Sequence, residues 1–383
     1  MAISCDILIA GCGYAGAVLA ERLASQCGLH CLVVDRRDHI AGNAFDDIGS
    51  HGLRVHKYGP HIFHTNSEKV WQYLSRFTEW RLYYHRVLGM VEGNAVPLPF
   101  NLNAMAALFP RFLAEDLSQS LIRTYGYGKK IPILKLRESG DSQLNFLADY
   151  IYDNVFKSYT KKQWGLRPED LDPSVTARVP VSITRDDRYF QDTYQAMPKD
   201  GYTEMFRKIL DHPNIDVALS TDFDSVKALY PEARIVFTGP IDQYFDFQHG
   251  RLPYRSIRFR LREENCSLVQ PVGTVNYPNE FDFTRITEIK HLTGQTSAST
   301  VLVEEYPEAF EAGKNEPYYP IPTPDTATQL KPYQELARAV EGKVWFAGRL
   351  GDYAYYNMDQ ACARALALFE KHIAPAVCSQ AAE

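Results

Sequence analysis

The feature that most constrains this chain is a set of three glycines between a strand-like and a helix-like segment. Residues 6–10 form a short apolar run, the pattern of a strand buried on both faces. Gly11, Gly13 and Gly16 follow at G-x-G-x-x-G spacing, and residues 17–24 are helix formers with an apolar stripe. A second apolar run, 31–34, ends at Asp35, 19 residues after Gly16. In such a unit each glycine has a task. The first makes the tight turn, the second lets a pyrophosphate approach the backbone, and the third lets helix and strand pack closely. The diphosphate then lies at the positive end of the helix, and the acid takes a ribose hydroxyl. The pattern predicts a dinucleotide site without separating NAD from FAD. A late strand over 343–349, ending Phe346-Ala-Gly348-Arg349, favours FAD, because a second glycine turn would close around the ribityl chain.

The rest of the chain is read from periodicity. Residues 68–77 carry apolar residues at helical spacing, and 83–98 read as a hairpin turning at Gly93-Asn94. Helix formers dominate from 100 to 165, with an apolar stripe through Leu144, Leu147, Ile151 and Val155. Residues 167–200 are rich in Pro and Asp and read as a crossing loop. A strand is predicted at 233–239, antiparallel strands over 251–306, and a closing helix at 359–372. Strands of the first kind thus lie at both ends and near 235. The expected class is α/β: a discontinuous Rossmann-like FAD-binding domain (1–82, 198–245 and 321–383), a helical insert (99–197) and an antiparallel sheet insert (83–98 and 246–320).

Composition removes some classes. A chain of 383 residues suits two to three domains. Lys and Arg total 41 against 47 Asp and Glu, a net charge of −6, which argues against nucleic acid as a partner. No apolar run approaches the roughly 18 residues that span a membrane. The first twenty residues hold no Lys or Arg, so the charged start of a secretion signal is missing, and a cytoplasmic protein is expected. The seven cysteines include no CxxC pair, so reduced thiols and no metal site are expected. The 24 tyrosines suit a wet, polar pocket.

Several separate motifs carry a family resemblance over nearly the whole chain. Besides the glycine loop they are 58–65 (Tyr-Gly-Pro-His-Ile-Phe-His-Thr), 158–165 (Ser-Tyr-Thr-Lys-Lys-Gln-Trp-Gly), 283–288 (Phe-Thr-Arg-Ile-Thr-Glu), 317–320 (Pro-Tyr-Tyr-Pro) and 348–355 (Gly-Arg-Leu-Gly-Asp-Tyr-Ala-Tyr). With them the chain resembles the UDP-galactopyranose mutases, flavoenzymes that interconvert UDP-galactopyranose and UDP-galactofuranose. The resemblance implies an isomerase without net redox change, in which N5 of reduced FAD attacks the anomeric carbon of the sugar and displaces the nucleotide. It also implies a homodimer, an outside reductant for the flavin and a role in cell-surface polysaccharide synthesis.

Residue by residue, the resemblance implies catalytic roles for His64, Arg285, Tyr319 and Tyr355. Arg285 would grip the diphosphate, as bidentate guanidinium contacts allow. On the substrate side it implies Tyr159, Thr160, Trp164, Tyr194, Asn276 and His85, and it places the acid Glu305 by position alone. On the cofactor side it implies Gly11, Gly13, Gly16, Asp35, Arg36, Gly42, Asn43, Arg349, Asn357 and Met358, with His61 in a structural role beside them.

Four positions depart from the family pattern. Residues 178–182 read Arg-Val-Pro-Val-Ser, with Ser182 where the family has a second diphosphate-binding arginine. A lost charged contact costs on the order of 1.5–3 kcal/mol. Arg185 is the candidate to compensate, and only from a loop or helical turn, since three residues along a strand reverses the face. His85, Val155 and Asn357 replace an asparagine, an aromatic and an acid. Three other readings stay open: a mutase for a dTDP- or GDP-linked deoxyhexose, an amine oxidase-like FAD oxidoreductase, and a nucleotide-sugar sensor.

Overall fold

The structure, a computed structural model, describes residues 5–378; the outermost residues of the expected FAD-binding domain, 1–4 and 379–383, lie outside it. Its central element is a five-stranded parallel sheet in the order Ile215–Ala218, Cys31–Val34, Ile7–Ala10, Arg234–Phe237, Val344–Phe346. Strands from both ends of the chain and from its middle lie side by side. All residues of Ile7–Ala10 and Cys31–Val34 are buried, because helices cover both faces. On one face the helix Tyr14–Cys27 packs against Met358–Leu368 and Tyr202–Leu210. On the other lie Phe223, Phe237, Phe346 and Tyr333.

A seven-stranded sheet runs Tyr319–Pro320, Tyr254–Glu264, Thr300–Ala309, Arg285–Glu288, Thr274–Asn276, Val87–Val91, Asn94–Leu98. It is antiparallel except at one join, where Thr274–Asn276 pairs in parallel with Val87–Val91. The hairpin turn sits one residue earlier than expected. Val91 pairs with Asn94, leaving Glu92 and Gly93 at the turn with φ of 50° and 78°. Positive φ at both positions matches the right-handed twist of the flanking strands.

Residues 167–200 are more than a crossing loop. Tyr194–Pro198 is the central strand of a three-stranded sheet, between Phe63–Thr65 and Trp80–Leu82. Val181–Ser182 pairs with Lys130–Ile131. The Pro and Asp content hid these pairings, which form only when the chain returns past distant segments.

The helices between 102 and 164 bury the predicted stripe of Leu144, Leu147, Ile151 and Val155. Val155 therefore lies in a core. A wide, π-type turn over Tyr152–Lys157 leads into the helix Ser158–Trp164. An added residue per turn rotates the side chains beyond it, here Tyr159, Thr160 and Trp164.

The expectation that every thiol is reduced is corrected. Cys27 and Cys378 form a disulfide with Cα atoms 4.9 Å apart. They end two helices that pack together, 351 residues apart in sequence. That separation is invisible to a reading based on cysteine spacing. Among the described residues no helix is long and apolar enough to cross a membrane.

Candidate active site

A cleft of about 380 Å³ opens at the C-terminal ends of the parallel strands, where open α/β sheets bind ligands. Gly11, Gly13, Asp35, Arg36, Gly42, Asn43 and His61 line it from one side, and Arg349, Asn357 and Met358 from the other. Gly16 lies beneath. A Cβ on Gly16 would collide with the Gly11 carbonyl oxygen, and one on Gly42 would come 2.9 Å from the Gly13 Cα. The cradle therefore consists of bare backbone at the start of the Tyr14–Cys27 helix, the end that favours an anion. Asp35 accepts from the Cys12 N–H at 2.8 Å and the Arg37 N–H at 3.0 Å. Those bonds hold the carboxylate at the cleft wall, where a ribose would lie. The cleft residues fit an FAD or another dinucleotide.

Arg37, which sequence reasoning passed over, also lines the cleft. It donates to Asn43 Oδ1 at 2.9 Å and lies 4.4 Å above the Tyr58 ring. Arg36 is more exposed and faces Glu316 at 3.7 Å.

The substrate side is built from side chains. One row across the seven-stranded sheet places Gly89, Asn276, Arg285, Glu305 and Phe259 opposite one another in turn. Arg285 Nε donates to Glu305 at 2.7 Å, and the Glu305 side chain is 1% exposed. Burial alone would depress the guanidinium, yet the Glu305 carboxylate holds it well above its usual value. Asn276 Oδ1 is buried and has no protein partner. The segment carrying His61 and His64 meets this row at Gly59, whose φ is 79° and whose added Cβ would lie 2.7 Å from the Phe259 ring.

Trp164, Tyr319 and Tyr355 form a triad of rings with centroids 4.8, 5.2 and 5.5 Å apart. The Tyr319 hydroxyl bonds to the Gln163 carbonyl at 2.8 Å. Tyr159 and Tyr189 both feel the Arg285 charge, and burial pushes both phenols up. Thr160 is buried one residue along. Arg349 donates to the Tyr356 carbonyl at 2.7 Å and lies 5.6 Å from the Tyr355 ring centre.

The histidines are fixed individually. His64 stacks on Phe190 at 3.6 Å and its Nδ1 meets Asp192 at 3.0 Å. A carboxylate acceptor requires the proton on Nδ1 and leaves Nε2 for chemistry or binding. The His64 bond holds the Asp192 carboxyl below the usual carboxylate range. Burial pushes His61 and His85 down to about 3, so both are neutral. His85 Nδ1 bonds to the Tyr83 hydroxyl at 3.0 Å.

Two expected residues do not join the cluster. The Tyr194 ring stacks on Trp71 at 4.7 Å, because its strand alternates and this position faces that aromatic pile. Arg185 is exposed and donates to Asn103 Oδ1 at 3.0 Å, which turns its charge toward the helix Leu102–Leu108. In their place the fold brings in Tyr189, Phe190, Asp192 and Arg178. The Tyr-Phe pair at 189–190 was the available signal, an aromatic pair inside a Pro/Asp-rich stretch.

A dinucleotide cleft at the C-terminal ends of a parallel sheet, with Arg349 on its wall 5.6 Å from the Tyr355 ring of the aromatic cluster, defines a Rossmann-like dinucleotide-binding protein. The profile of the UDP-galactopyranose mutase family matches residues 154–355, and that of the NAD(P)-binding Rossmann-like domain matches 9–77. A probable UDP-galactopyranose mutase of Klebsiella pneumoniae is 37% identical over 94% of this chain and 93% of its own. A dTDP-fucopyranose mutase of Escherichia coli is 31% identical over 96% of this chain and 98% of its own. The crystal structure of a reduced UDP-galactopyranose mutase superposes with a TM-score of 0.71 at 15% identity, over 99% of this chain and 97% of that one. The chain belongs to the UDP-galactopyranose mutase family and is an enzyme of the isomerase class.

Proposed function

We propose that this enzyme interconverts the pyranose and furanose forms of a nucleotide-linked sugar, with UDP-galactose as the first candidate. The observation that carries the reading is the Arg285–Glu305 pair beside the Trp164–Tyr319–Tyr355 triad, next to the dinucleotide cleft. FAD fits the glycine cradle and Asp35, and when bound and reduced it would supply a nucleophilic nitrogen for the anomeric carbon.

The chain's own residues do the rest. Arg285 holds the diphosphate, with Glu305 aiming its guanidinium. The Tyr319 and Tyr355 rings wall the phosphates, and Trp164 closes the pocket against water. Asn276 offers an unpartnered buried oxygen to a sugar hydroxyl. His64, its tautomer set by Asp192, presents Nε2 at the cofactor side. Exposed Phe112 and Phe146 on the helical insert support a homodimer.

A second substrate, a dTDP-linked deoxyhexose, is supported by the likeness to the dTDP-fucopyranose mutase. The experiment is anaerobic turnover by the FAD-loaded, dithionite-reduced protein. UDP-galactofuranose and a dTDP-linked fucofuranose are offered separately, and the products are resolved by chromatography. Conversion of one, only after reduction, is expected and names the nucleotide. Conversion of neither sinks the reading.

A further inference from the structure

We propose that Arg178 supplies the second cationic contact to the substrate diphosphate, and that the neutral amide of Asn357 leaves its charge free to do so. The inference rests on the mutase reading above and adds a residue to it.

Arg178 comes just after the short helix Pro173–Thr176. Its guanidinium carbon lies 4.3 Å from the centre of the Tyr355 ring. Its Nη2 donates to Asn357 Oδ1 and Gln360 Oε1, both at 3.2 Å. Both acceptors are neutral. Among the described residues, neither Arg178 nor Arg349 makes an ion pair, and the two guanidinium carbons lie 4.3 and 5.6 Å from the centre of one tyrosine ring. Half-buried cations are ordinarily paired with carboxylates, because desolvating a charge is costly. Both flank Tyr355, and Tyr189 feels the charges of Arg178 and Arg285 alike; a planar guanidinium can take phosphate oxygens in pairs.

Position 357 decides whether that charge is available. Asn357 caps the helix Met358–Leu368, and its N–H donates to Gln360 Oε1 at 2.9 Å. Aspartate caps a helix as well as asparagine does, so capping does not explain an amide here. An Asp at 357 would sit 3.2 Å from the guanidinium and neutralise it. With Ser182 supplying no charge and Arg185 turned to Asn103, the amide is what keeps the charge of Arg178 unpaired over Tyr355.

The test is equilibrium binding of UDP and of dTDP to the oxidised, FAD-loaded protein by titration calorimetry, with flavin content as the control. Arg178→Gln should weaken the nucleotide that binds by about 10- to 100-fold, with flavin retained. Arg178→Lys should lose less. Asn357→Asp keeps the cap and the shape and changes only charge, so a merely structural role for Arg178 predicts no loss. The proposal predicts a loss of about tenfold or more. Unchanged binding in Arg178→Gln or in Asn357→Asp overturns it. If neither UDP nor dTDP binds the unaltered protein, the mutase reading fails first and takes this inference with it.

Discussion

The cofactor cradle and the substrate pocket are neighbours built on opposite plans. The cradle uses backbone from contiguous segments: Gly11, Gly13 and Gly16 on one turn, with Gly42 pressed against Gly13. The pocket uses side chains from scattered segments: His64 from one sheet, Tyr159 and Trp164 from a helix, Arg285 and Glu305 from another sheet, and Tyr355 from a terminal loop. A backbone site is broken by adding atoms. A side-chain site is broken by removing a charge or a ring. That difference orders the expected effects of substitution.

The largest effect should come from adding bulk to the cradle. Gly16→Val forces a side chain into the Gly11 carbonyl. The cost exceeds the roughly 1–3 kcal/mol typical of overpacking, and the purified protein should carry no flavin absorbance. Flavin retained at full stoichiometry would break the contrast. Next comes removal of charge from the pocket. Arg285→Gln strands the buried Glu305 carboxylate, a change that costs about 3–5 kcal/mol. Denaturant unfolding should show it, while Glu305→Gln, which keeps an acceptor for Arg285, should cost less.

The disulfide braces the far end of the cradle helix. Cys378→Ser should lower stability by about 2–4 kcal/mol. Thiol labelling of the denatured, unreduced chain should find five free cysteines and rise to seven after reduction. A count of seven before reduction contradicts the pairing.

Acid should act on the histidines of both regions. Burial pushes His56, His61 and His85 down to about 4, 3 and 3, against about 6.5 when unfolded. Between those values the unfolded chain binds more protons, so stability falls as pH drops below about 6.5. His85→Asn should flatten that slope by up to ~1.4 kcal/mol per pH unit, read from denaturant midpoints at successive pH values. The smallest effect should be that of Arg185→Ala, within about 0.5 kcal/mol in stability. It should also leave UDP and dTDP binding unchanged, which sets Arg185 against Arg178 directly.

The cradle was legible in the sequence because its requirement is local. A tight turn, a close approach and a packed helix each demand glycine at a fixed offset, and the strands beside them are uniformly apolar. The helical stripe through Leu144 and Ile151 was legible for the same reason. Strand Tyr194–Pro198 was not, because its apolar face is shared with Pro and Asp neighbours and its partners lie more than a hundred residues away. The disulfide failed on the same ground, and Tyr189 was not singled out at all.

By itself the sequence determined the dinucleotide turn, its acid and the α/β class, since each depends on spacing within a few turns of chain, while the pocket residues were named only through the family resemblance. Only the tertiary structure decided which side chains share a pocket. It set Arg285 against Glu305, turned Arg185 outward, brought Arg178 over Tyr355 beside an amide instead of an acid, and joined Cys27 to Cys378. Those choices depend on strand register and on the rotation of short helices. A shift of one residue in either exchanges one face for the other, and no local pattern records it.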